Sequence, residues 1–407
     1  MENDSEIYKY RTKEKYSRIN QKRVIKEQET KQSKQISISY TVKVDYYEYY
    51  DEYYDEYRGI YYLIIPKEYL NDIDKLIKEK NDIFSRGKIL RFSGENNFQF
   101  DAVVESTEKD PDNENIVYSY LIPIKEKYRY YSEKLIDEFQ VEERNGDLTY
   151  ERMLEAINEF IEGNCCSKNI EKYILGNLVI NSYKKFPKIF NYKRYYFNNI
   201  YNFAKFTKYQ EQEIYKIFYQ EMSTINLKNR DNRILCLIIY SIYQCRKNIG
   251  DKILICSSSN SVADSISLDL LRMKEHIKKL NIIRIYAKNQ EIIKRNKRLN
   301  KISLHRLIKK KYKRKFNDKR EKKEWIIKQN DIVISTCVNS YNDDIINFEF
   351  PFVIIIDANN SSENEDLIPI TLNAKHVLFV FYDESDNGEI NMYKRMKYLY
   401  PKNHCEI

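Results

Sequence analysis

Short runs of β-branched residues alternate with helical stretches through the second half of the chain, and this rhythm constrains the fold more than any other feature. The runs are Lys252 to Cys256, Ile282 to Tyr286, Asp331 to Cys337, Phe352 to Asp357 and Val377 to Phe381. Each is apolar on both of its alternating faces, so both sides of the strand must be covered. Strands of that kind with helices between them predict an α/β fold with a parallel sheet. Lone polar residues at strand carboxyl ends, such as Asp357 and Asp383, stand where such sheets bind ligands.

The first half reads differently. Residues 1–36 hold many charges and few apolar residues, which predicts a basic, disordered tail. In 37–58 the stretch DYYEYYDEYYDEYR repeats Tyr46, Tyr50, Tyr53 and Tyr57 at helical spacing, and an acidic stalk helix is expected there. Its Tyr seam packs on its own protein or stacks on bases; the flanking Asp and Glu favour the first. Short β-prone runs between turn formers predict a small antiparallel β-barrel over 59–145. Residues 146–205 read as a helical stalk or connector, with Thr149 as an N-cap and Gly163 and Gly176 as helix stops. The parallel-sheet domain is expected over 206–407, carrying a basic helical insertion at 289–330.

Composition narrows the function. The 407 residues include only eight Gly, seven Pro and one Trp beside 38 Tyr, a bias that an AT-rich genome also produces. The longest apolar run, Ile234 to Tyr243, is half of what a membrane-spanning helix needs, so no membrane association is expected. Seven Cys with no CxxC, and His276, His305, His376 and His404 scattered, fit neither a disulfide framework nor a zinc site. A reducing, cytoplasmic setting is expected. Seventy Lys and Arg against 61 Asp and Glu leave a net charge of +9, compatible with a polyanion partner.

Several stretches resemble, in order and spacing, the first RecA-like domain of the up-frameshift (regulator of nonsense transcripts) RNA helicases of superfamily 1. They are ILICSSSNSVADSISLDLLR, IIRIYAKNQE, NDIVISTCVNS and FVIIIDANNSSENEDLIPITLNAKHVLFV; upstream, TYERMLEAINEFIEGNCCSKNIEKYILGNLV and FTKYQEQEI extend the likeness over roughly 45–385. The resemblance implies a RecA-like sheet preceded by a barrel and stalk. It also implies a family activity, ATP-driven unwinding of or translocation on RNA during nonsense-mediated mRNA decay, with two RecA-like lobes closing on nucleotide.

Phosphoryl transfer needs amides that cradle phosphate, a cation on the β/γ oxygens, a hydroxyl and an acid for magnesium, and a carboxylate that orients water. The family's phosphate loop falls on Leu227 to Ile234. Leu227 and Asn232 replace its glycines, Arg233 stands at the Lys position, and Ile234 replaces the magnesium-binding hydroxyl. Gln210 matches the adenine-reading Gln and Asp357 the magnesium-associated acid. Ala358 stands where the family has its catalytic Glu, and its later Gln falls near Ser385. These are vestigial nucleotide positions: no catalytic residue, no metal and no ATP cofactor are expected. The family's second lobe and its zinc-binding N-terminal domain have no counterpart between Met1 and Ile407.

Binding is what the remaining residues suit. Ser259 and Asn260 follow a strand and open a helix, a place for RNA phosphate or for an ordinary capping turn. Thr336 matches a family position lining the RNA path. The insertion places Lys309, Lys310, Lys311, Lys313 and Arg314 on an arm whose apolar face holds Leu304, Leu307 and Ile308, a solvated charge run or a polyanion-binding arm. The expected function is a catalytically degenerate up-frameshift-type helicase homologue without its second lobe, binding RNA or protein in mRNA surveillance or translation. The alternative is an active NTPase completed by a partner lobe.

Overall fold

The computed structural model describes residues 9–33, 40–51, 56–65, 89–94, 99–109, 117–123, 137–143, 147–178, 206–227, 232–246, 251–276, 280–291, 296–311, 319–382 and 391–406. They form two compact units. One holds residues up to Glu27 with 148–286 and 296–407; the other holds 28–147 with 287–295.

The chain opens with helix α1 (Lys13–Ser33), where a disordered tail is expected. Tyr10, Tyr16 and Val24 of this region are buried. Tyr16 lies with its ring 4.7 Å from that of Tyr10 and 5.0 Å from that of Phe160. Average composition hid these few anchors: Tyr16 and Val24 in the helix, with Tyr10 just ahead of it, remove apolar surface from water that offsets the cost of ordering an otherwise polar helix.

Six strands follow: β1 (Tyr40–Asp51), β2 (Glu56–Ile65), β3 (Ile89–Ser93), β4 (Gln99–Lys109), β5 (Val117–Pro123) and β6 (Asp137–Glu143). They close an antiparallel barrel in the order β1-β2-β5-β4-β3-β6, with β1 also paired to β6. The described parts of the Tyr-rich stretch read as a stalk helix lie in β1 and β2, paired antiparallel with Tyr46 opposite Tyr61 and Tyr50 opposite Tyr57, while Tyr53 lies outside the described residues. Tyr is a strong strand former, and cross-strand pairing with β2 overrides the helical spacing of the seam. Inside the barrel the rings of Phe92 and Phe100 stack at 4.6 Å, and Phe139 meets Phe100 edge-on at 5.4 Å. Gly94 lets Phe139 come so close that a Cβ there would lie 2.7 Å from the ring.

Helices α2 (Asp147–Glu162) and α3 (Lys168–Leu175) come next, and residues 179–205 lie outside the described ones. The stops expected at Gly163 and Gly176 both adopt positive φ, 87° and 75°. After Gly176 the amide of Asn177 reaches back to the carbonyl of Lys172, closing the helix end.

The remaining elements alternate: α4 (Lys208–Tyr219), β7 (Met222–Asn226), α5 (Asn232–Arg246), β8 (Ile253–Ser257), α6 (Asn260–His276), β9 (Ile282–Arg284), α7 (Lys288–Glu291), α8 (Leu304–Lys311), α9 (Lys319–Lys328), β10 (Ile332–Ile334), β11 (Phe352–Ile356), α10 (Glu363–Ile370), β12 (His376–Phe381), α11 (Met392–Leu399) and β13 (His404–Glu406). The strands make the RecA-like sheet, all parallel, in the order β13-β7-β12-β11-β8-β10-β9. The five expected strands are present. The sheet also holds β7 and β13, which carry Ser223, Thr224 and His404 among few apolar residues.

Both faces of the sheet are covered. Leu254, Cys256, Val353, Ile355, Val377 and Phe379 join one apolar core with α2, α3 and α10, whereas Ile253, Ile255, Ile354, Ile356, Leu378 and Val380 join a second with α5 and α6. Adjacent residues in each strand thus enter opposite cores, as the period of two requires. The basic insertion is anchored through Leu304, Ile326 and Ile327 in the first core. Lys252 ties down its second helix: its Nζ donates to the carbonyls of Ile327, Lys328 and Asn330, the carbonyl-rich end of α9.

If α1 is part of the core, Tyr16→Ala should lower unfolding free energy by about 3 kcal/mol, whereas Lys15→Ala on the exposed face should change it by less than about 0.5 kcal/mol. Urea unfolding of the full chain decides this; equal effects would return the segment to the status of a tail.

Candidate nucleotide and nucleic-acid site

Because every strand runs the same way, the segments leaving β7, β8, β10, β11 and β12 emerge at one edge of the sheet. Leu227, Ser257, Ser335, Asp357 and Tyr382 are the first residues there, or the last of their strands. The candidate positions fall into two sets along this edge.

The nucleotide-type set surrounds β7, β12 and β11. Leu227 is buried and its amide donates to Phe381 O at 3.0 Å; residues 228–231 lie outside the described ones. Asn232 begins α5 and is fully engaged. Its Nδ2 donates to Asp269 Oδ2 at 2.8 Å and to Ser265 Oγ at 3.3 Å, and its Oδ1 accepts from the Tyr382 hydroxyl at 2.8 Å. A side chain at this position therefore fastens α5 to α6 and to the end of β12. Arg233 is exposed, while Ile234 is buried in the second core. Gln210 completes a capping box: Thr207 N donates to its Oε1 at 2.8 Å, and its own amide donates to Thr207 Oγ1 at 3.2 Å.

Asp357 adopts a positive φ of 61°, the left-handed region that Asp tolerates better than most residues. Its Oδ2 accepts from Asn360 Nδ2 at 2.9 Å. The turn that follows is closed on itself. Asn391 Nδ2 donates to the carbonyls of Ala358 and Asn359, each at 3.2 Å, and Ser361 Oγ donates to Asp366 Oδ1 at 2.6 Å. Ala358 is buried. Asp366 is also fully buried, and desolvation first, then the nearby Glu365 and Glu363, push its carboxyl well above the ordinary range. Ser385 and Asp383 lie outside the described residues.

The RNA-type set surrounds β8, β9 and β10. Ser259 and Asn260 are partly exposed. The Ser259 hydroxyl shares a hydrogen bond with Ser261 and accepts from Val262 N at 3.3 Å, the capping arrangement weighed against phosphate binding. Thr336 Oγ1 accepts from Asn339 N at 3.4 Å. Lys309, Lys310 and Lys311 lie in α8, Lys313 and Arg314 outside the described residues. In α9, exposed Arg320 and Lys328 pair with Glu324 at 3.4 and 3.8 Å and Lys323 pairs with Asp344 at 2.9 Å, but the end of α9 at Lys328 lies beside the starts of β8 and β10, at the opposite edge of the sheet.

Sequence reasoning missed Arg284. This arginine, fully buried on β9, gathers Asn260, Asp264 and two strand-end carbonyls. Two signals mark it: a lone cation inside the apolar run Ile282 to Tyr286, and an Asn and an Asp four residues apart, on one face of α6.

Residues 287–380 match a family described as an AAA domain. The ATP-dependent helicase NAM7 of Saccharomyces cerevisiae is 26% identical over 259 residues, 57% of this chain and 25% of that protein. The regulator of nonsense transcripts 1 homolog of Drosophila melanogaster is 25% identical over 177 residues, 38% of this chain and 14% of its own length. The regulator of nonsense transcripts 1 of Dictyostelium discoideum is 26% identical over 156 residues, 32% and 11% respectively. The chain therefore matches a quarter or less of each relative's length. No described helix is long and apolar enough to cross a membrane, and no group of three or more His, Cys, Asp or Glu among the described residues is placed to hold a metal ion.

The buried Asp366 makes a pH prediction. Its folded pKa lies above its unfolded one, so the folded state keeps a proton that the unfolded chain releases, and stability falls as pH rises through and above the ordinary carboxylate range. Asp366→Asn keeps an oxygen for Ser361 and cannot ionise. Melting temperature followed from about pH 5 to pH 8 should therefore decline less in this variant than in the natural chain; parallel curves would show that the buried carboxyl is ionised after all.

Proposed function

We propose, taking as premise that the chain belongs to the up-frameshift-like superfamily 1 helicases, that it is a lobe of this type that binds RNA without turning over ATP. The observation that carries the reading is Asn232, a bridging side chain where the family's phosphate loop has glycine. A phosphate loop works because its backbone approaches the phosphates unobstructed and its amides stay free. Here the residue at the loop's end is committed to Asp269, Ser265 and Tyr382. Ile234 supports the same reading, since a residue buried in an apolar core offers magnesium no oxygen.

Ala358 removes the remaining chemistry. Without a carboxylate to orient the attacking water, rates fall by several orders of magnitude, and here that loss coincides with the changed loop. Gln210, Arg233 and Asp357 are then relics of the nucleotide site. Gln210 keeps a structural use in its capping box and Asp357 in its left-handed turn, whereas Arg233 is exposed.

RNA is the partner that the other half of the edge suits. Partly exposed Ser259, Asn260 and Thr336 supply hydrogen-bonding groups there, and the arm built on α8 and α9 adds cations, among them exposed Arg320, which pairs with Glu324 at 3.4 Å. Phosphate contacts from Lys309, Lys310, Lys311, Lys313 and Arg314 would add affinity without base specificity. We assign the protein to mRNA surveillance or translation in the cytoplasm, where both RNA and protein partners are at hand.

Phosphate release from ATP with magnesium, with and without single-stranded RNA, should not exceed the buffer rate. Turnover abolished by Arg233→Ala would overturn the reading and indicate an NTPase, self-sufficient or completed by a partner lobe. Fluorescence anisotropy with the same RNA should show binding at low salt that weakens by hundreds-fold between about 50 and 200 mM salt, for about six phosphate contacts. A flat salt response would remove the basic arm from the interface.

A further inference from the structure

We propose that Arg284 is a positioning residue that fixes the Asn260 carboxamide with its nitrogen outward, as a hydrogen-bond donor to a phosphodiester of single-stranded RNA. The proposal rests on the RNA-binding reading and deepens it.

A guanidinium with no accessible surface needs both a counter-charge and acceptors for its five N–H groups. Arg284 finds them on three sides. Its Nε donates to Asp264 Oδ1 at 3.0 Å, its Nη1 to the carbonyls of Ile285 at 2.7 Å and Ile334 at 3.4 Å, and its Nη2 to Asn260 Oδ1 at 2.7 Å. The Tyr286 ring lies 4.1 Å from the guanidinium carbon, and its hydroxyl donates to the same Asp264 oxygen at 2.8 Å. On the outer side of β9, the Arg284 amide donates to Ile302 O at 2.8 Å. The cation is therefore held from backbone and side chain alike.

This cluster settles the orientation of an amide that would otherwise be free to flip. Turning the Asn260 carboxamide over would aim its NH2 at a buried cation, donor against donor, in a region of low dielectric. The oxygen is committed inward, so the nitrogen must face the other way. Asn260 is partly exposed, and no described residue accepts from its Nδ2. An outward N–H donor beside Ser258 and Ser259 has the right polarity for an anion and the wrong one for a cation. Asp264 neutralises Arg284 locally, so the arginine acts through geometry, without touching phosphate itself.

Anisotropy of the full chain with a fluorescein-labelled oligouridylate tests this, with melting temperature recorded beside it. Asn260→Asp keeps an oxygen for Arg284 and turns the outward donor into a carboxylate oxygen. Its melting temperature should be unchanged or higher while affinity falls by about tenfold or more. Arg284→Lys should weaken binding to the level of Asn260→Ala without changing the salt slope, because no phosphate contact is lost. The double variant Arg284→Lys/Asn260→Ala should bind no more weakly than Asn260→Ala alone. Additive losses, or an Asn260→Asp chain that binds like the natural one, would overturn the proposal while leaving RNA binding intact. If Arg284→Lys does not fold, the Asn260→Asp comparison decides alone. A natural chain that fails to retain the probe at low salt overturns the RNA-binding reading and this proposal together.

Discussion

Two-sided burial of a parallel sheet is the constraint from which the rest follows. β8 lies between β10 and β11, and none of these strands can be joined to its neighbour by a tight turn, so each crossover travels over a face and covers it. Covering both faces sends alternate residues into two separate cores. It also leaves the carboxyl edge as the place where polar side chains collect, because the strands themselves have no room for them. Arg284, Asn391 and Ser361 belong to that edge or to the turns beside it, and Asp366 to the first turn of α10.

Such groups must be satisfied when they are buried, and the way they are satisfied divides the edge. Around β11 and β12 the bonds run inward: Asn391 to two turn carbonyls, Ser361 to Asp366, Asn232 to Tyr382 and Asp269. Around β8 and β9 the inward bonds leave one side of Asn260 toward solvent. The first network is inward-facing though not fully satisfied, since Asn359 Oδ1 and Asp366 Oδ2 are buried without a hydrogen-bond partner among the described residues; the second keeps a donor outside, where it can also bind.

Much of this was legible from residue patterns, for identifiable reasons. The five apolar runs announced the sheet because strands buried on both faces have a signal of their own, and Asp357 was found where the fold places ligand-binding acids. β7 and β13 escaped notice because Ser223, Thr224 and His404 break the apolar run while their backbone still pairs. The hairpin of β1 and β2 was misread since Tyr46, Tyr50 and Tyr57 satisfy a helical period and an alternating one imperfectly alike, and pairing partners distant in sequence decide between them. α1 was misread because composition averages away a few decisive aromatics. Of the site, Asn260 was picked out but its partner was not: which side chains converge on a cation depends on the crossing of α6 over β9, which no local window contains.

One buried cluster ties the beginning of the chain to its end. Arg395 is inaccessible to solvent and donates to Glu363 Oε1 at 2.7 Å and to Ile174 O at 2.6 Å, while Tyr10 donates to Glu363 Oε2 at 3.1 Å and lies under the same guanidinium. Arg23 approaches the same carboxylate at 3.8 Å. A recombinant fragment begun at the barrel, the boundary that composition invites, would strip the lid from this ion pair and admit water beneath the turn that follows β11. Expression boundaries for this lobe are therefore set by the first two dozen residues, far upstream of the fold they complete.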